Sequence, residues 1–337
     1  GLDPAFRMVA KIDTDLLRWT ISLLKNSTQS RFEQNTLRTL LFAQHSKKVL
    51  NDWKAKYHFE FLHKKVGKIQ VFESTKALVS NQRLVELKNR AGANQSILNR
   101  KEAIEIEPAL RHASFEFAGG VYSPDEEVGD IELFIQEVSA YLVKVKSMQL
   151  LLSTQVKDIK HIGSHALAIS TEKGDDIEFD SLLFCSGHVT SKLASKLGMS
   201  IPVVLPVAGY SLTFPSTKTS PALSVSDAKT KTVFCRLGQN IRIAGMMDIG
   251  RSSSQTPLHR TDFLLKQAKE RFPKLANFDG DGQPWMGLRP MTADSQPVIK
   301  RSGELNNVYF NTGQGMLGWT LAAASAESVA SLIYESS

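Results

Sequence analysis

Two short stretches hold the residue types best suited to chemistry. The first is Met286-Gly287-Leu288-Arg289-Pro290-Met291-Thr292-Ala293-Asp294, in which an arginine is set between a glycine and a proline. A guanidinium is a planar, permanently charged fork, and it grips a carboxylate through two parallel hydrogen bonds. The second is Asn311-Thr312-Gly313-Gln314-Gly315-Met316-Leu317-Gly318-Trp319-Thr320. It follows the apolar run Val308-Tyr309-Phe310 and precedes a small-residue stretch from Leu321 to Ile333. A strand, a glycine turn and a helix N-terminus in that order present bare backbone N–H groups and the positive end of a helix dipole, which suits an anion or an electron-rich ring. Arg289, Gly313, Gln314, Gly315 and Gly318 are therefore the first candidate binding residues. His161 and His165 lie four apart but flank Gly163 in an expected turn, with no third ligand following, so no metal site is expected. No residue is singled out as a catalytic acid, base or nucleophile.

The elements that must position these groups follow from periodicity. Residues 13–25 are amphipathic, with Leu16, Leu17, Trp19, Leu23 and Leu24 clustered. Ser30-Arg31-Phe32-Glu33 has the capping-box pattern and predicts a second helix to about Tyr57. The period then switches to two in Gly67–Phe72, a strand. Helices are expected over 75–90 and, from the pair Asn99 and Glu102, over a short stretch ending at Glu107-Pro108. Gly119 to Asp125 reads as a strand into a turn, and Asp130 as the N-cap of a helix to about Val145. Residues 149–185 read as hairpins, with a short strand at 150–152. Residues 215–231, rich in Ser, Thr and Lys, read as a mobile loop, followed by strands at 233–237 and 241–247 and a helix at 262–272.

Composition narrows the class. The 337 residues are 42% hydrophobic and 22% charged, as in a soluble globular protein with room for two domains or one large α/β unit. No apolar run is expected to span a membrane, and no signal peptide is visible. The net charge of +7 is scattered. It reads as a solvated face, with attraction for an anionic cofactor or an anionic membrane surface as the alternative. No nucleic-acid motif occurs, so nucleic acid is not an expected partner. The two cysteines, Cys185 and Cys235, sit in apolar runs and read as buried thiols of a reducing compartment. Residues 1–7 read as a vector remnant.

Together, GLRPMTAD…PVI and NTGQGMLGWT resemble the C-terminal end of the D-amino-acid dehydrogenases, flavoproteins of the D-amino-acid oxidase superfamily. The E-P-A-L run at 107–110, the Gly119–Asp130 stretch and Pro206-Val207-Ala208-Gly209-Tyr210-Ser211-Leu212-Thr213 add to the resemblance. It implies FAD as cofactor and a D-amino acid as substrate, with Arg289 on the substrate carboxylate. Gly313, Gln314 and Gly315 would face the flavin. Cys185-Ser186-Gly187 resembles the strand-to-glycine turn near the cofactor's diphosphate, which makes Gly187 a candidate. Tyr210 is a candidate to cover the substrate, with core packing as the equal alternative. Two positions depart from the family's pattern: Ala208 stands for a lysine, whose restoration is expected to raise ligand or flavin affinity, and Gln314 stands for a histidine.

The family's N-terminal G-x-G-x-x-G unit does not occur in this sequence, so this chain alone is expected to purify without bound FAD and to lack dehydrogenase activity, with unpaired sheet edges and exposed apolar surface. The expected fold is α/β of D-amino-acid oxidase type: a truncated FAD/NAD(P)-binding-type domain plus a substrate domain with a mixed or antiparallel sheet. Its divisions are a helical segment over 8–57, a substrate domain over 58–124 and 201–286, and an incomplete FAD-binding-type domain over 125–200 and 287–337. The function implied is FAD-dependent oxidative deamination of D-amino acids to 2-oxo acids, with electrons passing to a membrane quinone or other electron-transfer partner. The alternatives are a catalytically inactive remnant that binds a small carboxylate or a partner chain, and a sarcosine, glycine or proline oxidoreductase of the same fold. The expected location is the cytoplasm, with attachment to the inner face of a bacterial membrane as the variant.

Overall fold

The computed structural model describes residues 5–8, 13–251 and 255–335. They fall into two units, one made of Gly1–Val9, Glu60–Gln136 and Val207–Leu288, the other of Ala10–Phe59, Glu137–Pro206 and Arg289–Ser337.

The first unit is built on a nine-stranded sheet. Its strands are β1 (Phe6–Met8), β2 (Lys68–Phe72), β3 (Ser96–Asn99), β4 (Gly119–Ser123), β5 (Leu205–Pro215), β6 (Ser224–Asp227), β7 (Thr232–Leu237), β8 (Asn240–Ile249) and β9 (Gln283–Met291). Their order is β9-β5-β8-β7-β6-β2-β4-β3, with β1 added in parallel to the end of β8. Most pairs are antiparallel, and β6 and β2 are parallel. One face is the core. Leu212, Ile243, Phe234, Val225 and Ile69 lie opposite one another across five strands and are all buried. Helix Leu258–Arg271 covers them through Leu264, Ala268 and the neighbouring Phe272. By the period of two, Thr213, Arg242 and Cys235 form a row on the opposite face, as do Ser211, Ala244, Val233 and Ser226.

The carboxylate of Glu107 ties the core's edge together. It is buried and accepts hydrogen bonds from the backbone N–H of Ala109 at 3.0 Å and of Ala222 and Leu223 at 2.8 Å each. It so caps the 3-10 turn Pro108–His112 and fixes the chain that enters β6. Arg271 works in a similar way, pairing with Asp227 and with Glu73 while lying over the ring of Phe115.

The second unit holds helices Thr14–Asn26 and Gln29–Tyr57, a meander of strands Val156–Ile162, His165–Thr171 and Asp176–Glu178, and a three-stranded sheet. In that sheet Leu182–Phe184 runs parallel to Val308–Thr312, and Val298–Arg301 pairs antiparallel on its other side. Helix Gly318–Tyr334 follows Val308–Thr312. With the preceding turn it makes a segment, Gly315–Tyr334, long and apolar enough to cross a membrane by length and composition. It nevertheless buries Leu321, Ala323, Ala324 and Val329 in this unit, and Ala324 N–H donates to Ser46 Oγ on the long second helix.

Several local expectations change. The second helix is capped by Thr28, whose hydroxyl accepts from Arg31 N–H; Ser30 is already helical. The expected 75–90 helix is two helices meeting at Asn81, Thr75–Ser80 and Gln82–Arg90. Residues 150–152 form no strand and are exposed, because the partner strand of the meander starts only at Val156. Residues 215–231 contain β6, a buried interior strand, and Thr219 and Ser220 anchor the approach to it on the carbonyls of Lys274 and Leu275. Cys185 follows the strand Leu182–Phe184 and is exposed, and Cys235, on the non-core face of β7, is half-buried. Within the presumed remnant, Phe6 and Arg7 join Met8 in a strand against β8 and Ala5 O accepts from Met247 N–H, whereas residues 1–4 lie outside the described residues.

Removing the Glu107 carboxylate strands three N–H donors, those of Ala109 and Leu223 buried. Glu107→Ala is expected to lower stability by about 2 kcal/mol or more, judged from hydrogen bonds to charged groups. Urea unfolding of the two proteins checks this, and an unchanged midpoint would show that water replaces the carboxylate.

Candidate functional site

The geometry begins with β9. Met286 and Leu288 pack into the core of the first unit. Trp285 and Gly287 take the other face: a Cβ on Gly287 would lie 2.2 Å from the Trp285 ring, and Arg242, itself on the non-core face, stands 5.0 Å from that ring's centre. Alternation puts Arg289 on the same face as Trp285 and Gly287.

From Arg289 onward β9 belongs to the second unit, where its end meets the glycine turn. Met291 forms an antiparallel bridge with Gln314. The buried indole of Trp19 donates to the Met291 carbonyl at 3.0 Å, so the first helix fixes this strand end. Gln296 then reaches the second helix, donating to Asn35 O and Thr39 Oγ1. The turn itself demands glycine. Gly313 and Gly315 have φ of +80° and +58°, and a Cβ would stand 2.7 Å from Thr292 Cγ2 at the first and 2.9 Å from Met291 Sδ at the second. The Gln314 side chain is held within the turn by Asn311 at 2.5 Å. The N-cap residues Gln314 and Leu317 make no side-chain capping hydrogen bond to the 3-10 turn Gly315–Leu317 or to the helix opened by Gly318.

Gly187 lies at the end of the neighbouring parallel strand, and Thr312 Oγ1 donates to its carbonyl at 2.9 Å. The structure thus brings Gly187, Gly313, Gln314 and Gly315 together, where two parallel strands end. This is the position at which open α/β sheets bind ligands. A Cβ at Gly187 would meet nothing within 4 Å. His188 beside it is held below the usual histidine range by burial and by Lys192. Bare backbone, small residues and an uncapped helix start fit a flat ring or a phosphate. They would hold FAD through N–H groups rather than side chains.

Tyr210 lies elsewhere. It is 1% exposed, on the core face of β5, and its hydroxyl donates to Asp248 Oδ2 at 2.6 Å. Asp248 also pairs with the buried Arg260 at 2.6 Å. Burial, then the Asp248 carboxylate, pushes the Tyr210 hydroxyl up to about 12. Tyr210 is therefore a core residue, tied to Asp248 and not open to a ligand. Ala208 sits on the core side as well, 0% exposed and opposite Asp248. The positive charge next to Asp248 comes from Arg260 on the covering helix instead.

Sequence reasoning did not single out Trp285, Arg242, Asp248 and Arg260. The period of two along β8 and β9 was a usable signal for the first pair; the second depends on a helix packing onto the sheet. Among the described residues no cluster of three His, Cys, Asp or Glu side chains is placed to hold a metal.

Two predictions test this packing. A raised folded-state pKa means the folded chain holds the Tyr210 proton more tightly than the unfolded one. The contribution is complete below the ordinary value of 10.0 and is lost as pH climbs through about 12. Tyr210→Phe is expected to flatten the stability loss in that window, as read by unfolding midpoints at several pH values. Ala208→Lys is expected to destabilise by several kcal/mol, roughly the cost of burying an ammonium whose natural partner is already paired. A rise in anion or flavin affinity with an unchanged melting temperature would reverse that conclusion.

Residues 19–332 match the family described as DAO, FAD dependent oxidoreductase. A D-amino acid dehydrogenase of Vibrio vulnificus is 33% identical over 324 residues, 96% of this chain and 76% of the relative. One from Rhizobium rhizogenes is 32% identical over 328 residues, 96% of this chain and 77% of that protein. Among solved structures, glycine oxidase from Bacillus cereus superposes with a TM-score of 0.76 at 18% identity, covering 88% of this chain and 80% of that one. L-proline dehydrogenase from P. horikoshii gives 0.74 at 20% identity, covering 87% and 78%. At those identities the likeness is one of fold.

Proposed function

The chain belongs to the FAD-dependent oxidoreductases of the DAO family, and from that premise we propose that it oxidises D-amino acids to 2-oxo acids. One observation carries this reading: the strand bearing Arg289 is bridged, at Met291 and Gln314, to the glycine turn suited to the cofactor. A carboxylate held by Arg289 would bring the substrate's α-carbon to that turn. FAD, when bound, supplies the acceptor for the α-hydrogen and its electron pair. The N–H groups around Gly313 to Gly315 and the uncapped helix start would favour negative charge developing at their end of the site. The substrate amine becomes an imine, and water converts that imine to the 2-oxo acid and ammonia. As further parts of the proposal, a membrane quinone takes up the electrons, and the protein works in the cytoplasm or on the inner face of a bacterial membrane.

The test is a flavin-loaded preparation, its loading read by absorbance between about 350 and 500 nm, offered D-, L- and N-methyl amino acids with a dye acceptor. Turnover confined to D-amino acids is the expected result; oxidation of only glycine, proline or N-methyl substrates would move the chain to a sister activity. Arg289→Ala is expected to weaken substrate binding by roughly 2–5 kcal/mol, the cost of breaking a buried hydrogen-bonded charge pair. An unchanged KM for the best D-amino acid would take Arg289 out of this role.

A further inference from the structure

The first helix of the second unit, Thr14–Asn26, is apolar on two sides. One side is spent within the unit. Leu16 and Trp19 are buried, and the Trp19 indole donates to the Met291 carbonyl at 3.0 Å, which fixes how the helix is turned about its axis. The other side is open. Leu17, Ile21 and Leu24 are 56%, 46% and 67% exposed. At about 100° per residue these three lie within roughly 60° of one another, across the helix from Trp19. Arg18 and Lys25 continue the exposed surface along one edge of this stripe. Among the described residues neither cation is paired with a carboxylate. Asp13, exposed at the N-cap, is turned back onto Leu16 N–H at 2.8 Å, and Asp15 is half-buried.

Such a surface offers a bilayer aliphatic side chains to enter the headgroup boundary and cations at their edge to meet anionic lipid. The flanking charge is of one sign, and the chain's net charge of +7 acts in the same direction. Three side chains are too few for a stable protein partner, whose interface takes roughly 20–30 residues a side. We propose that Leu17, Ile21 and Leu24, flanked by Arg18 and Lys25, seat this protein on the surface of an anionic lipid bilayer without crossing it. The helix, about 20 Å long at the usual rise per residue, then lies in the plane of that surface. This contact goes beyond the oxidation chemistry and uses none of its residues. It gives the membrane location proposed above a physical point of attachment.

The experiment is co-sedimentation of the full chain with vesicles of phosphatidylcholine alone, or with about one lipid in three replaced by phosphatidylglycerol. Binding is expected to the anionic vesicles only, and to weaken as salt rises. Arg18→Glu with Lys25→Glu should lower the affinity at least about thirtyfold, each basic side chain near such a surface being worth roughly fivefold. Leu17→Gln with Leu24→Gln should lower it at least about tenfold by removing apolar contact. Lys76→Glu with Lys101→Glu, at exposed lysines of the first unit, makes the same change of net charge and should leave binding within about twofold. Ile21→Trp should add a blue-shifted emission with anionic vesicles only. No binding, equal binding to both kinds of vesicle, an equal loss in the Lys76 and Lys101 variant, or no added blue shift overturns the proposal. So does a dimer in velocity sedimentation that Leu17→Gln with Leu24→Gln dissolves, since a second copy would then cover the stripe. None of these readouts involves turnover, so the membrane contact and the oxidation of D-amino acids stand or fall separately.

Discussion

In a β-strand successive side chains point to opposite faces, and the nine-stranded sheet applies that rule across its width. Ile69, Val225, Phe234, Ile243 and Leu212 form one unbroken buried row. Their neighbours along each strand are turned to the other face by the same rule. A slip of one residue in any strand would carry its apolar set out of the core, so burial of one face sets the register and thereby the other face. Arg242, Thr213, Ser211 and Trp285 share a face because Ile243, Leu212 and Met286 must share the opposite one.

The core face also holds a buried polar network. Tyr210, Asp248 and Arg260 are almost entirely excluded from solvent, and each satisfies part of another's demand. Breaking such a group leaves a charge unpaired in apolar surroundings, which costs far more than the group contributes when whole. It stands where β5 and β8 lose register between Ala208 and Tyr210, with Met246 at a φ of +64°. The network and the irregularity therefore belong together, because the extra residue on β8 brings Asp248 opposite Ala208.

The second unit adds what the sheet cannot provide, a site with no side chains in the way. Parallel strands Leu182–Phe184 and Val308–Thr312 end in glycine turns joined by Thr312 and Gly187. Trp19 anchors the neighbouring end of β9 through the Met291 carbonyl. Side chains at Gly313 or Gly315 would strike Thr292 or Met291, so the same tight packing that demands glycine also exposes backbone N–H groups. Position and chemistry here have one cause.

Much of this was legible in the sequence because it is local. The Asn99–Glu102 capping box, the Asp130 cap, the strand before Gly313 and the helix after Gly318 depend on residues a few positions apart, and all four form. The motif resemblance led to the DAO family from the Arg289 segment, the glycine turn and the runs at 107–110, 119–130 and 206–213. What the sequence could not decide depends on pairing between distant segments. β6 looked like a loop because its Ser- and Asp-rich residues become a strand only between β2 and β7. Tyr210 and Arg289 both looked like ligand residues, because a face is assigned by register and packing rather than by residue type. Arg242 and Trp285 are 43 positions apart in the chain and meet only through strand order. Local signals determined the elements and the family; tertiary pairing decided which side chains share a face, since only burial of one face gives the other its meaning.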